Sequence, residues 1–167
     1  MEEWFRGLTD PDFVRWNTPL KMVRDRDDAR ESLRSKTGCQ AEGTEASFRI
    51  TDADDGTTLG QVSVQNIDSV VRTARVGYWV MPEARGRGVA TRALLLATRW
   101  ALTDLGLNRL ELGHALGHEA SCRIAERCGF PYEGTLRGAM FEAGRQDAFR
   151  DEHLHARIAS DPEPRLP

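Results

Sequence analysis

The hydrophobic residues between positions 46 and 80 largely alternate with polar ones. Turn-like breaks interrupt the pattern at 54–56 and 68–73. Alternation of this kind is typical of strands that bury one face. The segment therefore predicts an antiparallel meander of three strands. Its apolar positions are Phe48, Ile50, Leu59, Val62, Val64, Val76, Tyr78 and Val80.

Helical spacing begins after Pro82. Apolar residues form one stripe over residues 88–105, and Gly106 follows as a stop signal. The next apolar run, Arg109–Ala115, is a predicted strand, and a helical crossover makes it parallel to the strand that precedes the helix. The remaining predicted elements are a helix over 120–128 and strands over Tyr132–Phe141 and 147–158, joined by a turn at Gly144.

The first forty residues also predict helical structure. Residues 1–19 combine four aromatic side chains with an Asp10-Pro11 turn signal, which predicts a short helix followed by an extended piece. Residues 27–36 predict a largely polar helix with an acidic start, followed by Gly38. The four aromatic residues are Trp4, Phe5, Phe13 and Trp16.

Length and charge exclude several classes of protein. A chain of 167 residues suits one domain, here residues 1–160, with a loose Pro-rich tail at 161–167. With 23 basic and 26 acidic residues, the net charge of -3 gives no reason to expect nucleic acid as the main partner. The longest apolar run, 93–97, is too short to span a membrane.

The cysteines indicate a reducing environment. Cys39, Cys122 and Cys128 are odd in number and form no CxxC pair. We therefore expect neither a disulfide framework nor a metal site, and a cytoplasmic location. Cys122 lies inside a predicted helix without an evident base, which favours a packed thiol over a nucleophile.

A basic, glycine-rich loop between a strand and a helix is the strongest functional signal. Residues 80–91 pass from a strand end through Gly86 and Gly88 into a helix, the arrangement that binds phosphate through free backbone N–H groups. A Walker loop would need a lysine after Gly88. A dinucleotide fingerprint would need Gly or Ala where Thr91 stands, after the first strand of an alternating fold.

Two blocks of sequence resemble the GNAT superfamily of N-acetyltransferases. Residues 85–90 match its (Gln/Arg)-x-x-Gly-x-(Gly/Ala) motif. Residues 118–134 resemble the Asn-x-Ala-Ser…Glu-(Lys/Arg)-x-Gly-Phe…Glu-Gly segment of the branch that includes the ribosomal-protein N-terminal acetyltransferases. The resemblance covers roughly residues 48–158.

The resemblance implies an α+β fold of the α/β/α-like GNAT type. A central mixed, mostly antiparallel sheet, flanked by helices, would be splayed between its fourth and fifth strands, here those ending at Val80 and formed by Arg109–Ala115. The family's first strand has no counterpart in this sequence. We therefore expect the N-terminal segment or a second copy of the chain to cover the exposed sheet edge.

Acetyl-CoA is the co-substrate that the resemblance implies, with no metal. Its pantetheine arm would follow the strand that ends at Val80, whose N–H would polarise the acyl carbonyl. His118 replaces the family's usual Asn beside that arm. The implied cofactor-binding residues are Tyr78, Trp79, Val80, Arg85, Gly86, Arg87, Gly88, Val89, Ala90, Thr91, His118 and Ser121.

Three side chains are candidates for proton transfer. Ser121 matches the family position beside the CoA sulfur, where it would protonate the leaving thiolate; alternatively it is a helix cap. His114 and Glu111, on opposite faces of one predicted strand, are candidate bases for the attacking amine. Each alternatively has a structural role, His114 as a packed side chain and Glu111 in an ion pair.

The resulting hypothesis is acetyl transfer to a primary amine by direct attack in a ternary complex. The acceptor would be a protein N-terminus or a small-molecule amine, and a homodimer is possible. An acyl-CoA-binding module with little or no catalysis is the alternative. The N-terminal aromatic cluster either fills the core or forms a wall of the acceptor pocket.

Overall fold

A computed structural model describes residues 1–17 and 21–164 of the chain. Within these residues the helices are α1 (Glu2–Leu8), α2 (Pro11–Trp16), α3 (Arg26–Ala41), α4 (Val89–Thr103) and α5 (Glu119–Arg127). The strands are β1 (Glu45–Thr51), β2 (Thr58–Asp68), β3 (Thr73–Val80), β4 (Arg109–Ala115), β5 (Tyr132–Phe141) and β6 (Phe149–Ile158). A single 3₁₀ turn, Pro82–Ala84, leads from β3 towards α4.

The strands form one six-stranded sheet in the order β1-β2-β3-β4-β6-β5. Its neighbours are antiparallel except β3 and β4, which α4 joins as a parallel crossover. The predicted meander, the parallel pairing of Arg109–Ala115 and the mixed α+β architecture are thereby confirmed.

The sheet opens between β3 and β4. Its described part registers only three residue pairs there, Thr73 with Arg109, Ala74 with Leu110 and Arg75 with Glu111. Beyond them the strands diverge, which confirms the predicted splay. Among the described residues no strand precedes β1, so the strands expected as the family's fourth and fifth are β3 and β4 here.

An ion pair crosses β4 where the gap begins. Arg75 on β3 reaches the buried side chain of Glu152 on β6, and the pair passes directly over Gly113. A Cβ at Gly113 would overlap both side chains. Glu152 is 5% exposed and Arg75 is 41% exposed, so this half-buried contact links the two halves of the sheet.

The N-terminal segment differs from the prediction. Two helices replace the single helix and extended piece, because Asp10 caps α2 by accepting a hydrogen bond from the Phe13 N–H at 3.0 Å and Pro11 occupies its first turn. The Asp-Pro pair is thus a helix start and not merely a turn. The predicted segment's last residues fall in 18–20, outside the described part.

Helix α3 is longer than predicted. It begins after Asp25, whose side chain accepts from two backbone N–H groups, and continues through Gly38 to Ala41. A helical interior glycine costs only about 1 kcal/mol, too little to stop a well-capped helix that packs against β1.

One hydrophobic core lies between α4, α5 and the sheet. Leu94, Leu110 and Phe130 are fully buried there. At the C-terminal end, the described tail residues contact Arg157, which donates to the Pro162 carbonyl; residues 165–167 lie outside the described part. In the described ranges, each helix is too short or too polar to cross a membrane.

Helices α1 and α2 pack on the indole of Trp79. Trp4 and Phe13 approach it with ring centroids 5.8 Å and 6.4 Å away, and Gly7 lies directly against it. Because a Cβ at Gly7 would overlap the ring, the close approach of α1 requires glycine at this position.

We expect Gly7→Ala to lower the free energy of unfolding by about 1–3 kcal/mol through overpacking. Gly38→Ala is the matched control, since Gly38 also lies within a helix but has open space where a Cβ would be. It should raise stability by about 0.5–1 kcal/mol. Urea denaturation of both variants checks the pair, and equal effects would contradict this packing.

Candidate active site

A cavity of about 600 Å³ occupies the gap between β3 and β4. Its walls are the C-terminal ends of these two strands, the N-terminal turns of α4 and α5, and one side of α2. The predicted cofactor-binding residues line it, with the exception of Arg87. The loop and strand ends that carry the sequence motifs thus meet in one place.

The N-terminus of α4 forms an anion-binding cradle. Gly88 is the N-cap, with φ 73° and ψ 11°, and Gly86 has the same φ. The first intrahelical bond runs from the Arg92 N–H to the Gly88 carbonyl at 3.1 Å. The N–H groups of residues 89–91 therefore lack intrahelical acceptors and point outward at the positive end of the helix dipole. Such an end binds phosphate groups.

The guanidinium of Arg85 is fixed at the cavity wall by three groups. Its Nε donates to the Val80 carbonyl at 3.1 Å, its Nη1 to Asp12 at 2.8 Å, and its Nη2 to Asp10. Helix α2 is thereby attached to the glycine-rich loop. Arg85, the first residue of the sequence motif, thus links two walls of the cavity.

The backbone of β3 presents free N–H groups to the gap. Met81 donates to the Leu59 carbonyl of β2 at 2.8 Å. Because bonded positions alternate along an antiparallel strand, the Tyr78 and Val80 N–H groups point the other way, towards β4. Both lie beyond the last registered pair of β3 and β4, so a ligand in the gap meets them directly.

Ser121 and Tyr78 form a hydrogen-bonded pair inside the cavity. The Tyr78 hydroxyl donates to Ser121 Oγ at 3.2 Å. Burial raises the pKa of Tyr78 to about 12, so the phenol keeps its proton. His118 occupies the N-cap position of α5, so Ser121 does not have the capping role considered as the alternative.

His118 closes one side of the cavity with Trp16. Their rings stack with centroids 4.5 Å apart and planes inclined by 4°. Burial is the main cause that lowers the pKa of His118 to about 4. At neutral pH the ring is therefore uncharged, and it contributes a flat neutral surface where the family usually has an amide.

His114 lines the cavity, but both of its ring nitrogens face protein atoms. Nδ1 lies 3.0 Å from the Ala115 carbonyl, and Nε2 lies 3.3 Å from Nε2 of His155. Burial lowers the pKa of His114 below its usual value. The imidazole is thus neutral and held within the wall.

Two of the predicted site residues lie outside the cavity lining. Arg87 faces Asp52 at 3.6 Å. Glu111 accepts a hydrogen bond from Arg109 at 3.0 Å, the ion pair considered as its structural alternative. The structure therefore separates these two side chains from Ser121 and His114.

The sequence reasoning considered Phe13 and Trp16 as a wall of the acceptor pocket but missed two carboxylates of the same segment, Asp10 and Asp12. Asp12, Phe13 and Trp16 line the cavity, and Asp10 holds Arg85. The signal was the Asp-Pro helix start, which places these side chains on one short helix. The members of the aromatic cluster differ in role. Trp4 packs on Trp79 in the core, while Trp16 lines the cavity.

Comparison with known proteins identifies the family. The acetyltransferase (GNAT) domain family matches residues 1–131. The chain belongs to the GNAT acetyltransferases. The matched residues include both β3 and the start of α4.

Several GNAT relatives are similar in sequence or structure. The ribosomal-protein-serine acetyltransferase of Escherichia coli is 28% identical over 83% of this chain and 74% of its own length. The spermidine N(1)-acetyltransferase of E. coli is 35% identical over 54% of this chain and 49% of its own length. The chain spans about half the length of several further curated relatives that it matches.

A solved GNAT structure shows the same fold. Spermidine N-acetyltransferase from Vibrio cholerae, in complex with CoA and spermine, superposes with a TM-score of 0.83 at 21% identity. The superposition covers 96% of this chain and 90% of that one. The similarity at this identity concerns the fold, and it extends over nearly the whole chain.

We expect Asp10→Ala to lower the free energy of unfolding by about 2 kcal/mol, since it removes a helix cap and a buried partner of Arg85. Asp12→Ala is the control, because Asp12 contacts the same guanidinium but is 62% exposed. Asp12→Ala should lower the free energy of unfolding by less than about 1 kcal/mol. Chemical denaturation measures both, and equal losses would show that the α2 attachment does not depend on the buried carboxylate.

Proposed function

We propose that the protein transfers an acetyl group from acetyl-CoA to a primary amine, by direct attack within a ternary complex. One observation carries the proposal: an anion cradle at α4 adjoins a strand whose N–H groups at Tyr78 and Val80 face an open gap. A cofactor with a pyrophosphate at one end and an amide-containing arm ending in a thioester fits this order of groups.

In this proposal the pyrophosphate of CoA lies on the N–H groups of residues 86–91, at the positive end of the α4 dipole. Arg85 and Arg87 flank it, and their charges are partnered by Asp10 and Asp12 and by Asp52. The pantetheine arm runs along Tyr78 to Val80 as an additional strand. The Val80 N–H donates to the acyl oxygen, where negative charge develops during attack. His118 and Ser121 contact the end of the arm from α5.

The cradle is tested by Gly86→Glu, which places a carboxylate among the phosphate-binding N–H groups. Gly106→Glu is the matched control: both glycines have positive φ, 73° and 65°, and open space for a side chain. Gly106 lies at the opposite end of α4, about 22 Å along the helix. Calorimetry should show acetyl-CoA binding at least about tenfold weaker for Gly86→Glu than for Gly106→Glu.

Equal acetyl-CoA affinity in these two variants would contradict the cradle. Absence of binding to the folded wild type would refute the acetyltransferase proposal itself. Tight binding without turnover of any primary amine would instead support the alternative, an acyl-CoA-binding module.

The proposed chemistry forms a C–N bond and breaks a C–S bond. The neutral amine attacks the thioester carbonyl, the tetrahedral intermediate collapses, and Ser121 gives a proton to the departing thiolate. Ser121 regains a proton from the cavity water that takes up the amine proton. His114 and Glu111 were the candidate bases, but the former directs both nitrogens at protein atoms and the latter lies outside the cavity. We therefore assign the amine proton to water in the open cavity, with positioning supplying much of the rate.

Ser121→Ala should lower kcat by about 10²-fold with little change in acetyl-CoA affinity, because a general acid acts in the transition state. Tyr78→Phe is the matched control, since it removes only the hydroxyl that donates to Ser121. Tyr78→Phe should lower kcat by no more than about tenfold. Steady-state kinetics check both, and an unchanged kcat in Ser121→Ala would remove this residue from the mechanism.

The acceptor class follows from the relatives and from the cavity together. The two E. coli relatives are named ribosomal-protein-serine acetyltransferase and spermidine N(1)-acetyltransferase. A protein N-terminus and spermidine each present a primary amine. Turnover assays with a serine-initiated peptide and with spermidine therefore cover the proposed range. Helix α2, which lines the cavity beside the acyl gap, is the element that would contact the acceptor.

A homodimer and a cytoplasmic location complete the proposal. The described N-terminal residues fold as helices, and β1 has β2 as its hydrogen-bonded neighbour in the described sheet. An edge strand of this kind favours pairing with a second copy. The three cysteines are free, which suits a reducing compartment.

A further inference from the structure

Three histidines and one cysteine converge beside the cavity. His114 lies directly opposite His153 in the pairing of β4 with β6. His155, two residues further along β6, points to the same face because side chains alternate along a strand. Cys122 on α5 approaches from above, and the four nitrogen and sulfur atoms lie within 4.8 Å of one another.

Three of the six separations among these atoms match those of one tetrahedral ion, and all six are within 4.8 Å. Nε2 of His114 and Nε2 of His155 are 3.3 Å apart. Cys122 Sγ lies 3.6 Å from His153 Nδ1 and 3.6 Å from His155 Nε2. Zn²⁺ with bonds of about 2.0–2.1 Å to nitrogen and about 2.3 Å to sulfur places two nitrogens roughly 3.3 Å apart, and a nitrogen and a sulfur roughly 3.6 Å apart.

The hydrogen bonds of the rings leave the inward nitrogens as acceptors. His114 Nδ1 lies 3.0 Å from the Ala115 carbonyl, and His155 Nδ1 lies 3.1 Å from the Phe130 carbonyl. A carbonyl only accepts, so each Nδ1 carries the proton and each Nε2 presents a lone pair. Two lone pairs directed at each other in a buried site repel unless a proton or a metal cation lies between them.

The backbone carbonyls also match the usual surroundings of metal-bound histidine. A ligating imidazole normally donates its other N–H to a carbonyl or carboxylate, which fixes the ring and its tautomer. His114 and His155 both have this arrangement, and His155 is fully buried. The ring positions are thus set by the fold.

We propose that His114, Cys122, His153 and His155 bind one Zn²⁺ ion with four protein ligands. Binding would release the Cys122 thiol proton to solvent and join β4, β6 and α5 at a single point. The ion would have a structural role, because its four positions are filled by protein. This inference is independent of the proposed acetyl transfer.

From the sequence we expected no metal site, because it contains no closely spaced cluster of metal ligands. The nearest pair here is His153-x-His155, and the other two ligands lie 31 or more residues earlier. Only the antiparallel pairing of β4 with β6, and the position of α5 over them, brings the four together.

The test uses untagged, metal-free protein titrated with Co²⁺. Tetrahedral Co²⁺ with a thiolate ligand gives intense visible bands and a sulfur-to-metal charge-transfer band in the near ultraviolet. We expect both bands to saturate at one equivalent. Added Zn²⁺ should then bleach them, since it binds such sites more tightly than Co²⁺. A folded wild type without these bands would overturn the proposal.

Variants assign the ligands. Cys122→Ser should abolish the charge-transfer band, and His153→Ala should weaken Co²⁺ binding by at least about tenfold. Cys39→Ser and His118→Ala are the matched controls, because each removes the same residue type outside the cluster, and both should keep the full spectrum. Circular dichroism confirms that each variant is folded. A charge-transfer band retained in Cys122→Ser would also overturn the proposal.

Discussion

The end of hydrogen bonding between β3 and β4 is the constraint on which the site depends. Parallel strands that continued to pair would use the N–H groups of Tyr78 and Val80, and no cavity would form. Divergence after Arg75 leaves these groups available. The ion pair of Arg75 with Glu152 lies at the point of divergence, so the sheet is held closed on one side of the gap and open on the other.

Small residues allow the surrounding elements to approach that gap. Gly113 leaves room for the ion pair to cross β4, and Gly7 lets α1 rest on the indole of Trp79. The same strand therefore carries free N–H groups along its edge and an aromatic anchor on its face. Packing of the N-terminal helices and shape of the cavity are consequently linked through β3.

Sequence patterns predicted most of the sheet and the start of α4. Period-two alternation located β1 to β3, and the glycine-rich loop located the start of α4, because both signals are local. The position of α2 was not predictable in this way. Its role depends on Arg85 contacting Asp10 and Asp12, more than seventy residues away, and the roles of Glu111 and Arg87 likewise depend on which side chain lies nearest in the folded chain.

The short seam between the sheet halves would also couple the lifetime of the protein to any molecule that fills the gap. The β1–β3 and β4–β6 halves share three registered pairs, and a molecule bound in the gap would add contacts to both. A ligand that binds only the folded state at 100 times its Kd adds about 2.7 kcal/mol to the free energy of unfolding. In a cell where degradation follows the unfolded fraction, abundance of this protein would rise and fall with the supply of the molecule that fills the gap.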